Sequence, residues 1–313
     1  MCHLMSFSSD TKSELCHKKP LHSCCEKAEC YGMLLFGRLF NSAGVTLTTE
    51  SEETAQRIAQ MTAQLTGAIV SSRTVLRRAD HPASVVSVED ANDRARVLEC
   101  FGHTGHEVTL RLNRANLEDD CCWAAFLRGA FLSCGTVTNP EKDYRLEFVI
   151  PHMHLAHDMA ALLEELPVAL QPGISERKGS YVVYIKGSER VSDLLTLLGA
   201  PKASMEVMQM KMLREVRNKI NRQTNFETAN LDKTASAAAR QIGALQKLLD
   251  CGIGLGVLPE ELRGLAKLRY DNPELSLREL GEKLQPPLSR SGVNHRLQRI
   301  TELAEKACRE RRQ

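Results

Sequence analysis

No apolar run in these 313 residues approaches the ~20 residues that a membrane-spanning helix needs, and the N-terminus carries no signal-peptide core. Membrane function and secretion are therefore not expected, and the chain is read as cytoplasmic, with translation starting at Met1 or Met5. Aromatics make up only 4% of the residues, with a single Trp, and the net charge is +2. The near-neutral net charge does not mark a strongly charged body. There is no Gly-rich phosphate loop. The eleven cysteines do not amount to a disulfide scaffold in a chain of this length, so the thiols are expected to be reduced. Carboxylates are missing from two long stretches, between Glu29 and Glu50 and between Asp120 and Glu141.

Those two stretches coincide with a duplication. At an offset of 97 residues, Cys24, Cys25, Ala28, Gly32 and Leu35 fall on Cys121, Cys122, Ala125, Gly129 and Leu132. The same offset carries Val85, Val86 and Val88 onto Val182, Val183 and Ile185, and Leu98 and Gly102 onto Leu195 and Gly199. A fixed internal period means one unit used twice. Each copy opens with a helix containing a glycine, apolar almost all round in the second copy, and that glycine costs roughly 1 kcal/mol against alanine in a helix interior. That cost is tolerated where two backbones must approach closely. The two helices are expected to pack on each other through Ala28/Gly32 and Ala125/Gly129.

Hydrophobic periodicity orders the rest of each copy as strand pair, helix, strand pair, helix. In the first copy the strands fall at 45–49, 69–76 and 85–88 and the helices at 51–65 and 91–101. In the second, the strands fall at 144–150, 168–174 and 181–186, with helices at 154–166 and 191–198. The fold class is α+β, a tandem αββαββα pseudo-dimer followed by an all-α helix-turn-helix domain. A lead-in is assigned to residues 1–23, with a short capped helix after Ser6. The duplicated domain spans 24–199 (copies 24–102 and 121–199), a helical linker 200–257, and the helix-turn-helix domain 258–313.

Charge is uneven along the chain. Residues 1–199 carry 20 Lys and Arg against 25 Asp and Glu, and residues 200–313 carry 21 against 14. The basic C-terminal third is the part suited to a polyanion. Within the linker a helix is expected at 205–220, with Met208, Met212, Val216 and Ile220 on one packing stripe and Lys211, Arg214, Arg217, Lys219 and Arg222 elsewhere on its surface. A polar turn is expected at 221–233 and a second helix at 235–250.

Three helices follow. The first spans 259–270, and the second opens at a Ser276–Glu279 capping box. The third, over 290–306 after Pro286-Pro287, turns Val293, Leu297, Ile300 and Leu303 inward. This is a helix-turn-helix pattern. The outward face of the third helix offers Arg290, Ser291, Asn294, His295, Arg296, Gln298 and Arg299, the candidate DNA-binding residues. Asn294 and Gln298, one turn apart, can each pair with adenine, with His295 as a third reader. The arginines suit phosphates.

No catalytic residue, cofactor or metal is assigned. Cys24, Cys25 and Cys30 lie near His17 and His22, but adjacent cysteines are not the usual zinc spacing and the second copy has no neighbouring histidine. Small thiols packed at a helix start account for both pairs. His152, His154 and His157 are read as partly exposed helix residues rather than ligands.

The segment from Leu127 to Gly135, LRGAFLSCG, resembles the helix that names the LAGLIDADG homing-endonuclease fold. In that fold each central helix ends in an acid that binds a catalytic divalent metal. Here Cys134 and Gly37 stand at those places, so the resemblance implies the scaffold without its chemistry. Together with the run from Pro286, PPLSRSGVNHRL, and the linker at 221–233, the whole chain resembles the WhiA family of bacterial regulators linked to sporulation and cell division. That resemblance implies transcription control, with double-stranded DNA as a partner, RNA polymerase or another transcription factor as protein partners, and a nucleoid location. Two other readings stay open: an active endonuclease of the same fold, and a ligand-sensing regulator.

Overall fold

The computed structural model describes residues 6–76 and 82–310; Met1 and Met5 lie outside these. The described chain forms two compact units, residues 1–215 and 216–313.

The first unit is built on two helices, α2 (Ser23–Leu35) and α5 (Asp120–Cys134). Nearly every residue of α5 from Cys122 to Leu132 is buried, as its all-round apolar sequence requires. The two helices cross in backbone contact. A Cβ added to Gly32 would lie 2.2 Å from the carbonyl oxygen of Phe126, and one added to Gly129 would lie 2.1 Å from that of Glu29. These contacts are reciprocal under the 97-residue offset, since Glu29 corresponds to Phe126 and Gly32 to Gly129. The duplication is thus a pseudo-twofold axis running through the glycines.

The symmetry is broken where Glu29 faces Arg128. Glu29 is fully buried, yet Arg128 donates from Nε and Nη2 to its Oε2 at 2.9 and 2.8 Å. Arg57, on α3 (Glu52–Thr66), donates Nε to Oε1 at 2.6 Å. The remaining guanidinium donors reach the carbonyls of Leu198, Cys16 and Lys18. A buried carboxylate persists because its lone pairs are filled. In sequence Arg128 is the one charge between Trp123 and Leu132; its partner lies 99 residues upstream.

Each helix feeds an antiparallel sheet. In the first copy β1 (Leu39–Asn41), β2 (Gly44–Thr49), β3 (Ser71–Leu76) and β4 (Pro82–Val88) are ordered β1-β2-β4-β3. In the second β5 (Gly135–Val137), β6 (Arg145–Ile150), β7 (Gly173–Arg177) and β8 (Ser180–Lys186) are ordered β5-β6-β8-β7. α3 and α4 (Ala91–Cys100) complete the first copy, and α6 (Met153–Glu164) and α7 (Ser188–Leu198) the second. The expected αββαββα order holds in both.

Two strands start later than their apolar content indicates. Ile69 gives its N–H to the Asp93 carboxylate at 2.7 Å, so β3 begins at Ser71. Gln171 has φ +49° and Pro172 has no N–H, so the expected strand at 168–174 is displaced to Gly173–Arg177. The lead-in is structural. α1 (Phe7–Cys16) starts at Ser6, whose hydroxyl accepts from the N–H of Ser9, and it buries Phe7, Thr11 and Leu15 in the same core.

The linker departs most from expectation. Residues 201–250 form one helix, α8 (Pro201–Asp250). The polar run 221–233 contains no Gly or Pro, and nothing in it stops a helix; Gln223 even bonds Glu227 one turn on at 3.0 Å. The stripe read as packing is exposed at Met212, Val216 and Ile220. Two of the basic residues are engaged by the second copy: Lys211 pairs with Glu189 at 2.7 Å, and Arg214 stacks 4.7 Å from the Tyr144 ring centre.

The close approach of α2 and α5 makes a testable contrast. Gly129→Ala drives a methyl group into a backbone carbonyl and is expected to destabilise by roughly 1–3 kcal/mol. Gly264→Ala, in a helix with open space around it, is expected to stabilise by about 0.4–1 kcal/mol. Thermal melts of the two variants with opposite shifts would bear out the crossing; equal melts would not.

Candidate nucleic-acid interface

The second unit has its own core. α9 (Glu260–Asp271), α10 (Leu277–Glu282) and α11 (Arg290–Glu310) enclose Leu262, Leu265, Ala266, Leu280, Val293, Leu297, Ile300 and Ala304. The C-terminal turns of α8 join them through Ala244, Leu245 and Leu248. The helix expected at 235–250 as linker therefore belongs to this core. Leu303, expected inward, is half-buried and Ala304 takes the innermost place, because the helix continues to Glu310 and its buried stripe drifts.

Polar links fix the helices. Arg269 is buried on α9, donating Nε to Gln241 Oε1 at 3.1 Å and Nη1 to the Leu275 carbonyl at 2.6 Å. Desolvation lowers its pKa from the usual arginine range. Ser276 and Glu279 form the expected capping box at the start of α10. The turn into α11 is closed by Leu288 N–H bonding the Gly281 carbonyl at 3.0 Å. A Cβ at Gly281 would sit 2.2 Å from the Leu288 carbonyl oxygen, so only glycine fits there. Ser289 caps α11 through the N–H of Gly292 at 3.2 Å.

With the stripe Val293–Leu297–Ile300 inward, Arg290, Ser291, Asn294, His295, Gln298 and Arg299 are exposed. Arg296 differs. It is half-buried and aims Nη1 at the Glu261 carbonyl, 3.5 Å away. Arg299 Nη1 lies 3.7 Å from Glu261 Oε1, an exposed pair worth little against a phosphate. The first turns of α11 thus present amide, hydroxyl, imidazole and guanidinium groups on one face.

The places in the first unit where the resembled fold holds its acids carry other groups. Cys134 closes α5 with a thiol that burial pushes up to about 12. Lys12, from α1, donates Nζ to the Leu132 carbonyl at 3.2 Å, where a cation suits a helix C-terminus. Burial lowers the Lys12 pKa. Gly37 cannot be replaced by a larger residue without shifts, since its Cβ would lie 2.8 Å from the Thr46 carbonyl oxygen. A cleft of about 480 Å³ opens beside Lys12 and Cys134, and among the described residues lining it Glu50 is the one carboxylate. A lone carboxylate beside an ammonium is a poor holder of a hard divalent cation, which takes oxygen ligands.

The family model described as the WhiA C-terminal HTH domain matches residues 220–304, and that of the WhiA LAGLIDADG-like domain matches residues 123–217. The probable cell division protein WhiA of Alkaliphilus metalliredigens is 35% identical over 314 residues, spanning 96% of this chain and 98% of that one. The chain belongs to the WhiA family. The WhiA of Ruminiclostridium cellulolyticum is 37% identical over 309 residues, with 96% of this chain and 98% of the relative covered. The fold agrees as well. The crystal structure of full-length DUF199/WhiA from Thermatoga maritima superposes with a TM-score of 0.59 at 26% identity, covering 96% of this chain and 99% of that one. The WhiA helix-turn-helix match begins at 220, inside α8, in keeping with the packing of Ala244, Leu245 and Leu248 into that core.

Gly281 gives this interface a direct test. Gly281→Ala is expected to push the Leu288 carbonyl away and lower the melting transition of the 216–313 unit, while leaving near-ultraviolet signals from Trp123, in the other unit, in place. A variant that melts like wild type would mean the turn is not held as described.

Proposed function

We propose that this chain is a sequence-specific DNA-binding transcriptional regulator, linked to cell division or sporulation, and that it performs no chemistry on DNA. The observation that carries the reading is the outward face of α11. Its first three turns expose Asn294, His295 and Gln298 beside Arg290 and Arg299, on a helix held by a glycine-closed turn. Asn and Gln pair bidentately with adenine, and arginines grip the backbone. The relatives named as cell division proteins support the cellular link. The duplicated first unit serves as a platform, for DNA backbone or for RNA polymerase or another transcription factor, rather than as a nuclease. Cys134 and Gly37 in place of acids support that part.

The experiment uses a duplex enriched from random sequence and a scrambled control, over several salt concentrations. Asn294→Ala is expected to lose about 1–3 kcal/mol on the enriched duplex and little on the scrambled one. Arg299→Ala is expected to weaken both alike and reduce the salt slope by about one. Both duplexes are expected to stay intact with Mg²⁺ or Mn²⁺. Equal losses on both duplexes for Asn294→Ala, or metal-dependent cutting, would overturn the reading.

A further inference from the structure

Within either copy the cysteines have no zinc-like spacing. Folding changes this, because the close crossing of α2 and α5 sets their N-terminal turns side by side. Cys24 and Cys121 are equivalent under the 97-residue offset, and their sulfurs lie 3.9 Å apart. His22 Nδ1 lies 3.8 Å from the Cys121 sulfur and 3.9 Å from the Cys25 sulfur. The four donor atoms of His22, Cys24, Cys25 and Cys121 all fall within 4.8 Å of one another.

Zinc binds thiolate sulfur at about 2.3 Å and imidazole nitrogen at about 2.0–2.1 Å in a tetrahedron, which sets donor–donor edges of about 3.5–3.8 Å. The three separations of 3.8 to 3.9 Å come close to those edges, and the others stay within 4.8 Å. We propose that His22, Cys24, Cys25 and Cys121 form a Cys₃His site for one zinc ion, which clips the two copies together at the start of their central helices.

Two further features fit a thiolate-bound cation. Neither α2 nor α5 has a side-chain cap: the N-cap positions, His22 and Asp119, make no capping hydrogen bond. Three thiolates and one Zn²⁺ carry a net charge of −1, and two uncapped helix N-termini favour negative charge. The site is also reachable, since His22 is exposed and Cys24 and Cys121 are half-buried. On binding, the three thiols release their protons to solvent and the imidazole binds in its neutral form. A second donor set, Cys24, Asp119, Cys121 and Cys122, shares two sulfurs with the first. The proposed set is preferred because it offers sulfur and nitrogen alone, whereas the second includes the Asp119 carboxylate.

The test strips the full-length reduced protein with a chelator, removes the chelator, and titrates Zn²⁺ and Co²⁺ separately. The expected result is one zinc per chain, a raised melting temperature, and the thiolate charge-transfer and d–d absorption of tetrahedral cobalt. His22→Ala and Cys121→Ser are each expected to lose the cobalt spectrum and the zinc-dependent shift in melting. Cys30→Ser, a buried thiol bonded to Thr62, and Asp119→Asn are expected to keep both. Because His22 is exposed, its variant is expected to fold, which circular dichroism checks. Absence of stoichiometric metal, or uptake by His22→Ala and Cys121→Ser equal to wild type, would overturn the proposal. So would loss of metal in Asp119→Asn with retention in His22→Ala.

Discussion

Backbone contact between α2 and α5 is the constraint on which the first unit rests. Two carbonyl oxygens, of Glu29 and Phe126, occupy the space that side chains at Gly129 and Gly32 would need. Such an approach leaves little room for solvent, so the polar groups near the crossing must be satisfied within the protein. The Glu29 carboxylate meets that requirement by taking hydrogen bonds from Arg128 and Arg57, and the arginines tie α7 and the end of α1 to the same point. One crossing thereby orients both sheets, the lead-in helix and the start of α8. Glu14 of α1 accepts hydrogen bonds from the Lys202 and Ala203 N–H groups at 2.8 and 3.1 Å, capping α8.

The same crossing separates scaffold from chemistry. In the resembled nuclease fold the ends of the central helices must carry acids. Here one end is a half-buried thiol beside Lys12, which bonds the Leu132 carbonyl, and the other is a glycine pressed against β2. What the duplication retains is the paired-helix scaffold. Its other end, where the helices begin, gathers thiols and an imidazole. The amide, imidazole and guanidinium groups proposed to read DNA lie in the 216–313 unit, where an apolar inward stripe on α11 leaves its opposite face polar.

Much of this was legible in sequence because it is periodic. The 97-residue offset identified the paired helices and their glycines, and the spacing of Val293, Leu297 and Ile300 placed the outward residues of α11. What could not be read depends on long-range contact. The partner of Arg128 lies in the other copy, at a position where strict symmetry calls for an apolar residue. The turn expected at 221–233 rested on polarity, whereas helix breaking requires Gly, Pro or a competing side-chain bond. Gln241 and Leu248 belong to the second core, although chain order places them in a linker. Of the thiol–imidazole cluster, His22, Cys24 and Cys25 stand together in sequence and read as helix packing; the fourth member, Cys121, comes from the other copy and is brought in only by the crossing.

The central claim is that the exposed first turns of α11 direct the protein to its sites on DNA. Genome-wide immunoprecipitation of the wild-type chain and of an Asn294→Ala, Gln298→Ala double variant at matched abundance tests it most directly. The expected result is a discrete set of enriched sites sharing one sequence motif in the wild type, and loss of that motif in the variant. Retention of the same sites and motif by the variant would contradict it.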